Sequence, residues 1–150
     1  VKDVIISIKG IQTMGPELPV DSDSIELITG GQYQHSGDEM VLSYMESEMT
    51  GMEGTKTTFR ISPDRVVLTR EGAVESEMVF QQGRKHVFLY NTPFGATTMG
   101  VDTQKIRNKM HEDGGRMEIN YTIDVDSMVV SQNSFVIHVR ENATAIGMKQ

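Results

Sequence analysis

The sequence predicts an all-β fold, an antiparallel up-and-down barrel of about eight to ten strands, and three observations carry that prediction. Apolar residues recur with period two along most of the chain. The alternating segments are separated by turn signals only a few residues long. Helical spacing shows in one short window alone.

The clearest alternation is Met117, Ile119, Tyr121, Ile123 and Val125, with Glu118, Asn120, Thr122 and Asp124 between them. A strand with one buried face reads this way, because successive side chains point to opposite sides of the sheet. Phe135, Ile137 and Val139 repeat it, as do Val4, Ile6 and Ile8, and Met40, Leu42 and Tyr44. The turn signals are HSGDE (35–39), ISPDR (61–65), TREGA (69–73), QQGRK (81–85) and EDGGR (112–116). Connections this short join antiparallel neighbours, since a parallel pair needs a long crossover. The expected strands are 3–12, 25–34, 39–50, 55–61, 65–71, 76–81, 85–92, 95–110, 116–126 and 132–141. Residues 14–24, MGPELPVDSDS, read as a loop or lid between the first two.

Two segments pose questions. In 104–112, Ile106 and Met110 stand at i, i+4 before Gly114-Gly115, as in a short helix. They also continue a strand from Ala96 on shifted parity, which one β-bulge near Gln104–Lys105 would correct. Both readings stay open. In YNTPFG (90–95), Pro93 has no ladder donor and Gly95 permits unusual backbone angles. The stretch is expected to be a bend that turns a barrel corner, with Tyr90 and Phe94 beside it able to shape a ligand site. Closure into a barrel is favoured because it removes the exposed edges of a meander.

The 150 residues fit one domain, 1–150, with a modest core at 37% apolar content. No cysteine is present, which excludes disulfide and thiolate chemistry and suits a cytoplasmic setting. Neither a signal peptide nor a membrane helix is expected. The net charge of −7 lies in the first fifty residues, where two Lys face nine Asp and Glu. An acidic chain repels phosphate backbones, so nucleic acid is not an expected partner.

No dinucleotide, P-loop, nucleophile-elbow or zinc-protease motif occurs. His35, His86, His111 and His138 lack metal-ligand spacing. DSDS (21–24) opens like a calcium loop but has Glu26 where the loop needs glycine. No metal or cofactor and no enzymatic activity is expected; the one catalytic option is acid–base work by Glu46 with a nearby Tyr or His.

Polar residues within the apolar rows are the candidate site. Tyr44, Glu46, Arg70, Tyr90 and Tyr121, with Phe94, would line a mixed interior suited to a polar or anionic ligand, Arg70 being the counter-ion. The competing reading makes the tyrosines core residues and leaves Glu46 and Arg70 in solvent. Eleven methionines, among them Met45, Met49, Met52, Met78, Met99 and Met128, serve either as core filler or as an adaptable binding surface. Strand 86–90 is apolar on both faces, Val87/Leu89 and Phe88/Tyr90, which points to a covering loop or a homodimer interface.

Leu42-Ser43-Tyr44, Thr69-Arg70-Glu71-Gly72, Met78-Val79-Phe80 followed by Gly83, Tyr90 to Gly95, and the closing GGRMEINYTID and NSFVIHV together resemble the YwiB-like family of small bacterial proteins. The likeness covers roughly residues 25–140. It is a domain-of-unknown-function family placed among the calycin-like, or lipocalin-like, β-barrels. The resemblance implies that fold, no established activity, and small-ligand binding by analogy of fold. The alternative is a filled barrel that serves as a structural or regulatory interaction module.

Overall fold

The computed structural model describes residues 1–14 and 22–142. The loop or lid expected around 14–24 falls largely on 15–21, outside the described residues. The chain forms ten strands: β1 (Lys2–Met14), β2 (Ser22–Ser36), β3 (Glu39–Met45), β4 (Lys56–Ile61), β5 (Val66–Glu71), β6 (Ser76–Phe80), β7 (Lys85–Thr92), β8 (Gly95–His111), β9 (Gly114–Val125) and β10 (Met128–Glu141). Consecutive strands pair antiparallel except β6 and β7, and β1 also pairs with β10. The order is β6-β5-β4-β3-β2-β1-β10-β9-β8-β7. The ring closes where Glu75 and Asn91 exchange backbone hydrogen bonds of 2.9 and 3.0 Å, between the start of β6 and the end of β7.

Period two decides the interior. Val4 and Ile6, Leu42, Phe59 and Ile61, Val66 and Leu68, Met78 and Phe80, Met117 and Ile119, and Ile137 and Val139 all point inward and are buried. Each such side chain contributes about 1.5–3 kcal/mol of apolar burial. The connections after β2, β4, β6 and β8 gather at one end, where Tyr33, Ile61, Met110 and Met117 are buried in the interior. There Tyr33 is buried and donates its hydroxyl to the His111 carbonyl at 2.6 Å. Burial raises its pKa from the usual 10.0 to about 12. Midway, Phe80, Tyr121 and Phe135 meet edge to face, with centroids 4.8–5.9 Å apart.

Residues 104–111 are strand, not helix. The β8–β9 register shifts between Thr103 and Lys105, so Gln104 is the extra residue of a bulge. That bulge keeps Met110 on the buried face after Val101 and Thr103.

Two expectations are corrected. The strand expected over 39–50 ends at Met45, and a 3-10 turn follows at Glu48–Thr50. Ser47 caps that turn through its side-chain oxygen and Gly51 ends it at φ 75°. Nor does TPFG bend a strand round a corner. Thr92 pairs with Gly95, so Pro93 and Phe94 are a two-residue hairpin loop between β7 and β8. Proline's fixed φ suits a reversal, and Gly95 takes φ 132°, where a side chain would be strained.

Candidate functional site

The second end of the barrel, where the connections after β3, β5, β7 and β9 gather, holds a cavity of about 830 Å³. Its walls include Ile8, Leu27, Phe59, Leu68, Val74 and Phe135. All six residues expected to form a site, Tyr44, Glu46, Arg70, Tyr90, Phe94 and Tyr121, border this one cavity.

Register explains how they converge. Tyr44 on β3 stands opposite Thr57 on β4, Thr57 opposite Arg70 on β5, and Arg70 opposite Ser76 on β6. One polar row thus crosses four strands. Glu46 lies one inward step nearer the mouth, just past β3. Its N–H donates to the Thr55 carbonyl at 2.8 Å, which extends the β3–β4 ladder and holds the side chain inward. Only 5% of Glu46 is exposed, so the reading that placed it in solvent fails. Thr57 donates its hydroxyl to Glu46 Oε2.

The polar groups satisfy one another only in part. Glu46 Oε1 and Arg70 Nε are both buried without a hydrogen-bond partner, as is Ser76 Oγ at the end of the row. No carboxylate oxygen of the described residues lies within 4.0 Å of the half-buried Arg70 guanidinium. Burial and then the Glu46 charge push the Tyr44 phenol well above its usual pKa, with Arg70 opposing. Burial raises Tyr121 too, again opposed by Arg70. Arg70 therefore acts electrostatically on tyrosines from both sides of the cavity.

Tyr90 is half-buried beside Arg70's cavity wall, and Phe94 sits fully exposed at the β7–β8 hairpin tip on the rim. Sequence reasoning missed Thr57, hidden beside the identical Thr58. The inward parity of Phe59 and Ile61 in the same strand is the signal that assigns it.

The β2–β3 ladder stops short of the cavity. It runs only from Gln32↔Ser43 to Ser36↔Glu39. Beyond it, Ser24, Ile25 and Leu27 form one bank, and Glu46, Thr50, Gly51 and Met52 the other.

The methionines divide between roles. Met78, Met110 and Met117 fill the core, Met52 lines the cavity, and Met45, Met49 and Met128 are exposed. On β7, Phe88 points into the core while Val87 and Leu89 are 69% and 52% exposed. Among the described residues, no three His, Cys, Asp or Glu side chains converge as a metal site would need, and no helix is long and apolar enough to cross a membrane.

Comparison with known proteins supplies the relatives. A crystal structure of the ywiB protein from Bacillus subtilis superposes with a TM-score of 0.81, covering 94% of this chain and 92% of that one. At 23% identity that likeness speaks to fold alone. The protein described as "Uncharacterized beta-barrel protein YwiB" of Bacillus subtilis (strain 168) is 30% identical over 105 residues, 70% of this chain and 72% of that protein. The family model described as "Domain of unknown function (DUF1934)" matches residues 6–137. The chain belongs to this DUF1934 family of YwiB-like bacterial β-barrels.

Proposed function

We propose that this protein is a cytoplasmic, non-enzymatic, calycin-like barrel that binds a small anionic molecule in its mouth-end cavity, with Arg70 as the counter-ion. One observation carries the reading. A guanidinium is held inside an 830 Å³ cavity with its Nε buried and no acceptor supplied by the described residues. A buried donor without an acceptor is costly, and an incoming anion removes that cost. The volume falls within the range of small-molecule sites, and the apolar walls suit a ligand with a hydrocarbon or aromatic body.

The test uses 8-anilinonaphthalene-1-sulfonate, an anion with an aromatic body. The chain has no tryptophan to interfere with its fluorescence. Wild type should bind it at one site, and Arg70→Met should weaken that binding at least about tenfold, the loss of one charge-assisted contact. Equal affinity in the two proteins refutes the assignment.

A second reading is favoured by the exposed pair Val87 and Leu89: a protein-interaction module that docks a second copy through the outer face of β7. Light scattering across a concentration series tests it. A dimer lost in Leu89→Glu supports the interface, and a monomer throughout excludes it.

A further inference from the structure

We infer that the ligand is amphoteric, presenting an anion to Arg70 and a hydrogen-bond donor, preferably an ammonium, to Glu46. This rests on the anion-binding reading above and deepens it.

The cavity contains two orphans of opposite kind. Glu46 is 95% withdrawn from solvent and offers Oε1, an acceptor with no hydrogen-bond donor among the described residues. Arg70 offers Nε–H, a donor with no acceptor among the described residues. The obvious internal solution, an ion pair between them, does not form within 4.0 Å. Register keeps them apart. Arg70 lies in the row with Tyr44 and Thr57, whereas Glu46, just past the end of β3, lies one inward step further along the chain. Two residues along a strand amount to about 7 Å.

A purely anionic ligand would satisfy Arg70 but would enter beside an uncompensated carboxylate and be repelled by it. A purely cationic ligand meets the reverse problem. A molecule carrying both groups on an apolar body satisfies both orphans and lays that body against Phe59, Leu68 and Phe135. Selectivity then comes from the penalty each lone charge imposes on a ligand lacking the complementary group.

Calorimetry with octanoate, 2-aminooctanoate and 8-aminooctanoate tests the idea. The two amino acids place the ammonium at the near and far ends of one chain. At least one of them should bind wild type about tenfold or more tightly than octanoate. In Glu46→Gln that preference should fall toward unity, with a thermal transition confirming the fold. If Glu46→Gln does not fold, Glu46→Ala replaces it, and the wild-type preference remains decisive alone. Octanoate binding wild type as tightly as both amino acids overturns the amphoteric inference and leaves the Arg70 reading standing. An ammonium preference that survives in Glu46→Gln also overturns it. Binding by none of the three sinks both readings.

Discussion

Replacing Arg70 with methionine should stabilise the empty protein while removing anion binding. Methionine keeps an unbranched side chain that adapts to the cavity wall and carries no donor. Arg70 makes no ion pair with the described residues, so its removal orphans no carboxylate partner. Loss of the buried, unsatisfied Nε relieves about 1–3 kcal/mol. Against this stands the lost attraction to Glu46. Two charges 4 Å apart attract by about 1 kcal/mol in water and about 4 kcal/mol at an effective permittivity of 20. Glu46 lies farther off than that, and the guanidinium is only half-buried at a cavity open to solvent, so the lower figure applies. The net expectation is a gain of about 1 kcal/mol, or a rise in Tm of about 2–4 °C for a domain of this size. Urea unfolding followed by far-ultraviolet circular dichroism measures it, with an unchanged slope confirming a common unfolded state. A loss of more than about 1 kcal/mol would show that the guanidinium holds the barrel together and would refute its assignment as a vacant ligand contact.

Other consequences follow from the same geometry. Gly31→Ala should cost more than about 1–3 kcal/mol in urea unfolding, because an added Cβ would stand 2.5 Å from both Ile6 Cδ1 and the Ser43 carbonyl oxygen, where β2 parts from β3. Phe80→Ala should cost about 3–5 kcal/mol, since it removes the ring that packs on both Tyr121 and Phe135. Burial raises the pKa of Tyr33, Tyr44 and Tyr121, favouring their neutral forms in the fold. Stability is therefore full below the unfolded value of about 10 and is lost as the pH climbs from 10 toward 12 and beyond. Absorbance at 295 nm should show these phenols ionising together with unfolding. Reversible ionisation of all four tyrosines near pH 10 with the fold intact would contradict this.

Much of the barrel was legible because its physics is local. Alternation in Met117 to Val125 names the inward face, and the parity slip between Thr103 and Ile106 located a bulge that register confirms. The helical spacing of Ile106 and Met110 is ambiguous because a step of four is even, so it also returns to the same face of a regular strand. TPFG was misread because proline and glycine mark a bend and a reversal alike. Only the pairing of Thr92 with Gly95 separates the two. The strand end at Met45 was hidden because Glu46 keeps the inward parity after the regular ladder stops.

For the candidate site, membership was legible and geometry was not. Tyr44, Glu46, Arg70, Tyr90 and Tyr121 stand out as polar interruptions of apolar rows, and one cavity gathers them. Their cross-strand register, the Thr57 contact and the failure of Glu46 and Arg70 to pair depend on how four strands align. No single segment encodes that alignment. The filled and open interiors weighed as alternatives coexist, because Tyr33, Ile61 and Met117 close one end while the other end stays hollow.

Anion capture by Arg70 is tested most directly by its own side-chain signal. In a nitrogen–proton NMR spectrum, the Arg70 Nε–Hε resonance is identified by its loss in Arg70→Lys and followed as octanoate is added. A saturable downfield proton shift with one-site stoichiometry is expected, as the orphaned donor gains a charged acceptor. A resonance that stays in place while octanoate binds elsewhere on the barrel would contradict it.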